Sequence, residues 1–166
     1  MRNNRHINSH WRLRMYHRDA LGPKERQYVR WMWDELTKEE LSMVTEDETV
    51  NLMFQEQINR SKAPGFLDEK FKEYLKLIDF FYILEKDFHP RGFMAVAGEQ
   101  LISLWMTELY RGQGKASYLI ANHREIFDKP LKVQCYRKNE VGLKFYQARG
   151  FKPIDENGIY TLLELV

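Results

Sequence analysis

A short stretch near the N-terminal end alternates apolar and polar residues, and apolar residues at helical spacing follow it. In HWRLRMY, residues 10–16, the apolar side chains Trp11, Leu13 and Met15 alternate with two arginines and a tyrosine. A period of two residues predicts a half-buried strand. Pro23 then suits the first turn of a helix, because proline lacks the N–H group that this turn leaves unpaired. The opening pattern therefore predicts a strand that leads into a helix.

Two capping boxes divide the helical region that follows. Apolar side chains at helical spacing over residues 29–36 mark the first helix. Thr37 with Glu40 predicts the start of a short second helix. Thr45 with Glu48 predicts the start of another helix, which runs to about residue 60. We therefore expect several helices in series before the next break in the chain.

One more helix and three strands are expected in the middle of the chain. An apolar stripe after the Pro64-Gly65 break predicts a helix. Its members are Leu67, Phe71, Tyr74, Leu75 and Ile78. The runs FFYILEKD (80–87), GFMAVAG (92–98) and QLISLWMTE (100–108) then predict strands, with HPRG as the first turn and Gly98-Glu99 as the second. Strands this close in sequence are typical of an antiparallel meander.

The remainder of the chain alternates helices with strands. After the stretch YRGQGKASYLI, a helix is expected to run to about Asp128, with Pro130 beyond it. Its predicted buried side consists of Leu119, Ile120, His123, Ile126 and Phe127. LKVQCY predicts a strand, and NEVGLKFYQAR a helix that ends at Gly150. FKPI and IYTLLEL predict a final hairpin around Asn157-Gly158.

The predicted order is β-α-α(-α)-β-β-β-α-β-α-β-β, which indicates a mixed α/β fold with a mostly antiparallel sheet and flanking helices. The 166 residues suit one domain, and a hydrophobic fraction of 43% is enough for a sizeable core. A single cysteine excludes an intramolecular disulfide and a multi-cysteine metal site. No apolar run approaches the roughly 20 residues of a membrane span, and the N-terminus lacks a signal-peptide pattern. We expect a soluble, cytoplasmic protein.

Charge is distributed unevenly, although the net charge is only +2. Residues 1–30 carry eight Arg and Lys against two acids, and residues 34–48 carry seven acids against Lys38. Solvated faces are the simplest interpretation of both segments. The basic segment is also suited to nucleic acid, with Trp11 and Tyr16 available for stacking on bases. The acidic segment would suit a cationic amine.

The stretch YRGQGKASYLI, residues 110–120, has the character of a phosphate-binding loop at the start of a helix. A P-loop would need glycine at position 109 and serine or threonine at position 116, where this chain has Leu109 and Ala116. A dinucleotide fingerprint would need a third glycine at the position of Ser117. That fingerprint also follows the first strand of a βαβ unit, whereas this loop follows a meander. Neither type of loop fits.

Two motifs together resemble the GNAT acyltransferase superfamily. Arg111, Gly114 and Ala116 match its Arg-x-x-Gly-x-Ala loop. The run NEVGLKFYQARGF, residues 139–151, resembles its second signature, Asn-x-x-Ala-x-x-Phe-Tyr-x-x-x-Gly-Phe, with Gly142 in place of alanine. The resemblance covers about residues 80–166. It implies a single GNAT-like domain in which residues 80–166 bind acyl-CoA and residues 1–79 bind the acceptor.

The resemblance implies an acetyltransferase that moves an acetyl group from acetyl-CoA to an amine by direct attack in a ternary complex. Tyr146 is the implied general acid for the departing thiolate, and Glu108 the candidate base, with Glu99 as an alternative. The expected coenzyme-binding residues are Met106, Thr107, Arg111, Gly112, Gln113, Gly114, Lys115, Ala116, Ser117, Asn139 and Tyr146. Asn139 is also expected to cap its helix.

The remaining expectations concern metal, cysteine and partners. The five histidines have no clustered spacing, so no metal is expected, and Cys135 is expected to be a small buried side chain. No membrane partner is expected, and a homodimer is compatible with the sequence. The alternative function is a protein of the same fold directed at nucleic acid through its basic N-terminal segment, either binding only or acylating a modified base. The acceptor amine stays open.

Overall fold

The computed structural model describes residues 5–6 and 10–166, without the side chains at positions 5, 6, 49, 51, 53, 54 and 57. The strands are β1 (Arg5–His6), β2 (Trp11–His17), β3 (Phe80–Lys86), β4 (His89–Ala97), β5 (Gln100–Met106), β6 (Leu131–Tyr136), β7 (Lys152–Asn157) and β8 (Tyr160–Leu165). The helices are α1 (Pro23–Glu46), α2 (Glu48–Ser61), α3 (Phe66–Leu77), α4 (Lys115–Phe127) and α5 (Glu140–Ala148). This order confirms the predicted mixed α/β arrangement.

The strands form one sheet in the order β1-β2-β3-β4-β5-β6-β8-β7. Every neighbouring pair is antiparallel except β5 and β6, which are parallel. β3, β4 and β5 form the predicted meander. The parallel pair is possible because α4 crosses over between its two strands. The one parallel junction therefore lies in the middle of an otherwise antiparallel sheet.

Helices cover both faces of the sheet. On one face, α4 buries Leu119 and Ile120 against alternate side chains of β2 to β6 and β8, and α5 packs at its edge. On the other face, α1 buries Val29 and Met32, and α3 buries Phe71, against β3, β4 and β5. Strands that lie between these two layers, such as β3, therefore have buried side chains at nearly every position. Both faces of the β5–β6 junction thus lie beneath helices.

Helix α1 corrects the predicted series of short helices. It runs without a break from Pro23 to Glu46, and Thr37 lies inside it rather than at a helix start. Thr45 is also inside α1, where its hydroxyl donates to the carbonyl oxygens of Leu41 and Ser42. Asp47 caps α2 instead, because its carboxylate accepts from the Val50 amide at 3.4 Å. Both capping boxes were therefore wrong, although α2 ends close to the predicted residue.

Two further details differ from the sequence predictions. The turn between β3 and β4 is formed by Asp87 and Phe88, with φ angles of 51° and 66°, and not by HPRG. Two left-handed residues suit a two-residue hairpin, but phenylalanine is an unusual choice there and gave no turn signal. Strand β2 is covered on both faces, since Tyr16 is as buried as Leu13. On α4, Ile126 is exposed, and Asn122 is the buried neighbour instead.

Within the described ranges, no helix combines the length and apolar character that a membrane span requires. No three side chains among His, Cys, Asp and Glu come together as a metal-binding group in that part of the chain. Cys135 is buried, as expected of a small core side chain, and burial together with the neighbouring Glu40 raises its pKa to about 11.

Candidate active site

The parallel strands β5 and β6 separate soon after they meet. Their Cα pairs are Gln100 with Lys132 and Leu101 with Val133, and no pair follows along either strand. Beyond this point the C-terminal parts of β5 and β6 lie apart, which leaves an opening between their ends. We call this opening the β5–β6 gap. It breaks the sheet where the two helical layers would otherwise be sealed from one another.

The end of β5 presents backbone groups to the gap. The Thr107 amide donates to the Arg91 carbonyl on β4 at 2.7 Å, and the Thr107 hydroxyl donates to the same oxygen at 2.8 Å. Because successive residues of a strand direct their N–H and C=O groups to opposite sides, the Met106 amide points toward the gap. Met106 is therefore better placed than Thr107 to contact a ligand there through its backbone.

The glycine loop precedes α4 at the same end of the sheet. Gly112 and Gly114 have φ angles of 72° and 77°, a region that glycine adopts at no steric cost. Apart from each glycine and its chain neighbours, no heavy atom of the described residues lies within 4 Å of the position that a Cβ would take at either residue. The amides of the first turn of α4 have no intrahelical acceptor and carry the positive end of the helix dipole. The loop is thus an open cradle that fits a pyrophosphate group.

Two predicted phosphate-binding side chains already have partners within the chain. The Arg111 guanidinium donates to the Met106 carbonyl at 2.9 Å and to the Glu39 carboxylate at 2.6 Å. It therefore joins the end of β5 to Glu39 on α1. The Ser117 hydroxyl accepts from Arg149 at the end of α5. Arg149 thereby lies beside the first turn of α4, where sequence reasoning had not expected a cation.

The other loop side chains occupy the rim of the cradle. Gln113 donates to the Leu109 carbonyl at 3.2 Å, and Ala116 packs against the core. Lys115 lies 4.5 Å from the centre of the Trp11 ring. Each of these three side chains is thus engaged within the chain.

A cluster of cations and aromatic rings adjoins the loop. Lys86 lies 4.9 Å from the centre of the Tyr110 ring, and Arg91 lies 5.6 Å from it. Lys115 completes the cluster on Trp11. The buried Arg91 Nε has no hydrogen-bond partner among the residues that the structure describes. Such a concentration of positive charge favours a phosphorylated ligand, and no motif signalled it because the sheet assembles it from separate strands.

Tyr146 lies on α5 against the aromatic core. Its ring contacts Phe145 and Phe151 with centroid distances of 5.2 Å and 5.3 Å. Burial raises the pKa of Tyr146, and the neighbouring Cys135 and Glu40 raise it further. The hydroxyl therefore stays protonated throughout the physiological pH range. That is the state in which a tyrosine can donate a proton.

Asn139 and Gly142 fix the start of α5 against β6. The Asn139 carboxamide oxygen accepts from the Gly142 amide at 2.9 Å, which confirms the predicted cap. A Cβ at Gly142 would lie 2.5 Å from Asn139 Nδ2 and 3.1 Å from Cys135 Sγ. Packing therefore explains why glycine stands at position 142 of the second motif. It lets α5 approach β6 closely, at the strand that borders the gap.

The two carboxylates predicted as bases lie at opposite ends of β5. Glu108 is exposed in the 3-10 turn Glu108–Tyr110, which follows β5. Glu99 lies at the opposite end of β5, where its carbonyl accepts from the Lys132 amide at 2.7 Å. With a rise of about 3.3 Å per residue, the length of β5 separates Glu99 from the open end.

Helix α1 spans the open end of the gap. The Glu39 carboxylate accepts from the Trp105 indole at 3.1 Å, which ties α1 to the end of β5. Further along, Asp47 accepts from the Tyr136 hydroxyl at the end of β6 and pairs with Lys138 at 2.8 Å. These bonds lower the pKa of Asp47 to about 2, Lys138 having the larger effect. The acidic segment thus makes structural contacts to both sides of the gap.

Solved structures share this architecture, although no family model and no curated protein matches the chain. PaiA N-acetyltransferase from Thermoplasma acidophilum, in complex with coenzyme A, is 19% identical with a TM-score of 0.62, over 92% of this chain and 97% of that one. A GCN5-related N-acetyltransferase from Rhodopseudomonas palustris is 17% identical with a TM-score of 0.65, over 96% and 98%. An acetyltransferase from Thermus thermophilus is 17% identical with a TM-score of 0.61, over 92% and 96%.

These likenesses extend over nearly the whole of each chain. The predicted fold class is thereby confirmed, and the chain has the fold of the GNAT N-acetyltransferases.

Proposed function

We propose that this protein is an N-acetyltransferase that moves an acetyl group from acetyl-CoA directly to an amine in a ternary complex. The observation that carries this proposal is the β5–β6 gap, which opens beside the glycine loop at the start of α4. A thioester arm in the gap and a pyrophosphate on the loop would suit one continuous ligand. The coenzyme A complex of the PaiA enzyme, which has the same fold, supports this arrangement.

The residues around the loop fit the donor substrate. The amides of Gly112 to Ser117 and the dipole of α4 would hold the pyrophosphate. Lys115 and Arg149 supply nearby positive charge. Arg111 would join them if coenzyme binding released it from Glu39, and Asn139 would contact the arm from the start of α5.

The chemistry requires few protein groups. The acceptor nitrogen attacks the thioester carbonyl, whose oxygen gains negative charge and would accept a hydrogen bond from the Met106 amide. The departing sulfur would take a proton from Tyr146, the implied general acid. Holding donor and acceptor together in the gap supplies a large part of the rate enhancement. No covalent intermediate on the protein is needed.

The two helical layers suggest how the substrates divide the chain. The glycine loop, α4 and α5 belong to residues 80–166 and would bind the donor on one face of the sheet. Helices α1, α2 and α3 belong to residues 1–79 and would shape the acceptor site on the other face. Only an opening through the sheet allows the two substrates to meet.

The described contacts give less support to the nucleic-acid alternative. Trp11 and Tyr16 are 5% and 1% exposed, so neither is available to stack on a base. Arg12 pairs with Glu85, and Arg14 lies within 3.7 Å of Glu25. Much of the positive charge in the basic segment is therefore balanced within the fold.

Thermal unfolding with acetyl-CoA tests the donor part of the proposal. A ligand at 100 times its Kd stabilises a folded protein by about 2.7 kcal/mol, so we expect Tm to rise by several degrees. Gly114→Ala should weaken this effect at least about tenfold in apparent affinity, since it strains the loop and narrows the cradle.

Gly65→Ala is the matched control for that variant. Gly65 also precedes a helix in the left-handed region, with φ of 79° against 77° for Gly114, and also faces open space. Both variants should lose similar intrinsic stability, but only Gly114→Ala should lose the response to acetyl-CoA. A wild-type Tm that acetyl-CoA leaves unchanged would contradict the proposed function.

A further inference from the structure

One carboxylate lies on the face of α1 that packs against the sheet. Val29 and Met32 are fully buried on this face, and Leu36 packs against the same core one turn later. Glu40 follows Leu36 by four residues and precedes Val44, which packs against the end of β6, by another four. Residues four apart share one face of a helix. Glu40 therefore occupies a position in the sheet-facing stripe of α1.

At Glu40, α1 crosses the β5–β6 gap and not a strand. The residue before it, Glu39, contacts Trp105 on β5, and Asp47 contacts Tyr136 on β6. The helix advances about 12 Å between Glu39 and Asp47, more than twice the spacing of about 4.8 Å between paired strands. Glu40 lies at the start of that span, so it faces the opening. The other members of the stripe face packed strands.

Glu40 is exposed although it lies on the inward face of its helix. An inward side chain reaches solvent only where the packing against it is open, so the gap continues up to α1 as a crevice. The titratable groups that interact with Glu40 come from five elements. They are Glu39 on α1, Tyr74 on α3, Cys135 on β6, Tyr146 on α5 and Tyr160 on β8.

We propose that Glu40 is the general base that takes a proton from the acceptor amine in the β5–β6 gap, opposite Tyr146. This inference rests on the acetyltransferase function proposed above. Because α1 and α5 cover different faces of the sheet, the amine and the departing sulfur are served from opposite sides of the reacting carbonyl. The attacking amine therefore loses its proton to one residue, and the departing sulfur takes a proton from another.

The proton balance is complete with these two residues and water. A primary ammonium gives one proton to the Glu40 carboxylate, and the nitrogen lone pair then forms the C–N bond at the thioester carbonyl. The C–S bond breaks with its electron pair on sulfur, which takes the proton of Tyr146. The nitrogen loses its second proton through water, which restores Tyr146, and Glu40 releases the first proton to solvent. One ammonium and one thioester give one amide, one thiol and one proton.

The surroundings of Glu40 give it the acidity of a base that works near neutral pH. Partial removal from water raises the pKa of Glu40 from 4.5 to about 7, and the neighbouring charge of Glu39 adds to the increase. Catalytic proton transfer is most efficient when the pKa of the base lies near the working pH. The carboxylate form must be present, so the rate should rise with pH through this value.

The other carboxylates near the gap lack one of these properties. Glu39 accepts hydrogen bonds from Trp105 and Arg111, and Asp47 is held by Lys138 with a lowered pKa. Glu108 is exposed in the turn beyond β5. Glu40 alone among these four combines an inward position, access to solvent and proximity to Tyr146.

The pH profile of Glu40→Gln tests the proposal, using the primary amine that the wild-type protein acetylates fastest in a panel. We expect kcat to fall about 100-fold and the rise of rate near neutral pH to disappear, while the Tm increase with acetyl-CoA is kept. Glu35→Gln is the matched control, because it removes a charge from the same helix at a residue that pairs with exposed Lys38. It should keep the wild-type rate and profile.

Thermal unfolding of the same variant gives a readout that does not depend on activity. Because the folded-state pKa of Glu40 is raised, the Glu40 carboxyl binds more protons in the folded protein than in the unfolded chain between pH 4.5 and about 7. The contribution of Glu40 to stability therefore falls as pH rises through this window, and Glu40→Gln lacks this contribution. The Tm advantage of Glu40→Gln over wild type should grow from about pH 5 to about pH 8.

Two outcomes would overturn the proposal while leaving the proposed function intact. One is a Glu40→Gln protein whose rate stays within about twofold of wild type with the same pH profile, since a general base contributes far more than that. The other is a Tm difference that does not change with pH. A wild-type protein that acetylates no amine would instead contradict the proposed function, and this inference would fall with it.

Discussion

At the residue scale, Tyr146 and Glu40 divide the proton transfers that the proposed reaction needs. Tyr146 is kept protonated by burial among Phe145 and Phe151, whereas Glu40 is exposed. Burial raises the pKa of Tyr146, and the neighbouring Glu40 adds to the increase, so Glu40 helps to keep Tyr146 protonated. The proposed acid, Tyr146, thus lies in an apolar layer, and the proposed base, Glu40, is accessible to a substrate.

Tyr146→Phe tests the acid directly. We expect kcat to fall at least about tenfold, since a positioned acid contributes more than that in most enzymes. The affinity for acetyl-CoA should change little, because the ring contacts with Phe145 and Phe151 are retained. Steady-state kinetics with acetyl-CoA and the best amine would measure both effects.

Tyr82→Phe provides the control for loss of a tyrosine hydroxyl. Tyr82 is fully buried on β3 and contacts His123 at 2.7 Å, away from the gap. Its loss should cost about 1 kcal/mol of stability and leave kcat unchanged. Full activity in Tyr146→Phe would contradict the role of Tyr146 as general acid.

The sequence identified some of these residues and not others. Tyr146, Asn139 and Gly114 were found because each lies in a motif with a physical requirement at that spacing. The sequence favours a solvated acidic segment around Glu40, because a charged residue interrupts the apolar stripe that would otherwise show its inward position. Arg149 approaches Ser117 only after α4 and α5 have packed, so no local pattern signals it.

At the element scale, the approach of α5 to β6 sets one wall of the gap. Gly142 has no side chain, and Asn139 and Cys135 fill the space that a Cβ would take. By helix propensity alone, this glycine would weaken α5 by about 1 kcal/mol. The packing shows instead that the glycine is needed for the cap and for the close contact with β6.

Gly142→Ala should therefore fail to stabilise the protein. The gain of about 1 kcal/mol in helix propensity is offset by displacement of the Asn139 cap, which is worth about as much. In an Asn139→Ala background the obstacle of the carboxamide is gone, and the same substitution should raise the free energy of unfolding. A double-mutant cycle by chemical denaturation measures this coupling. Stabilisation of about 1 kcal/mol by Gly142→Ala alone would show that the contact is not restrictive.

Most elements were predictable because their hydrophobic periods are strong. The meander, α4, α5 and the final hairpin all lie close to their predicted ranges. Helix α1 was divided wrongly, because Thr37 and Glu40 satisfy a capping pattern that the packing of the surrounding stripe overrides. The separation of β5 from β6 could not be derived from periodicity, since both strands remain regular while their pairing stops.

At the scale of the whole molecule, the sheet separates α4 and α5 from α1, and the β5–β6 gap is an opening between the two sides. The glycine loop and Tyr146 lie on the side of α4 and α5, and Glu40 lies on the side of α1. Glu39 on α1 accepts from Trp105 on one side of the opening, and Asp47, which follows α1, accepts from Tyr136 on the other side. The acidic segment was expected to attract a cationic acceptor as a whole, but Asp34 is paired with Arg30 within the fold.

Mass spectrometry of amines incubated with the protein and acetyl-CoA tests the central claim most directly. The panel should include a polyamine, a lysine peptide and an aminoglycoside, with Tyr146→Phe and Glu40→Gln proteins in parallel. The account predicts that the wild-type protein adds one acetyl group to at least one amine, with matching release of free thiol, and that both variants do so far more slowly. A wild-type protein that binds acetyl-CoA but acetylates no amine would contradict it.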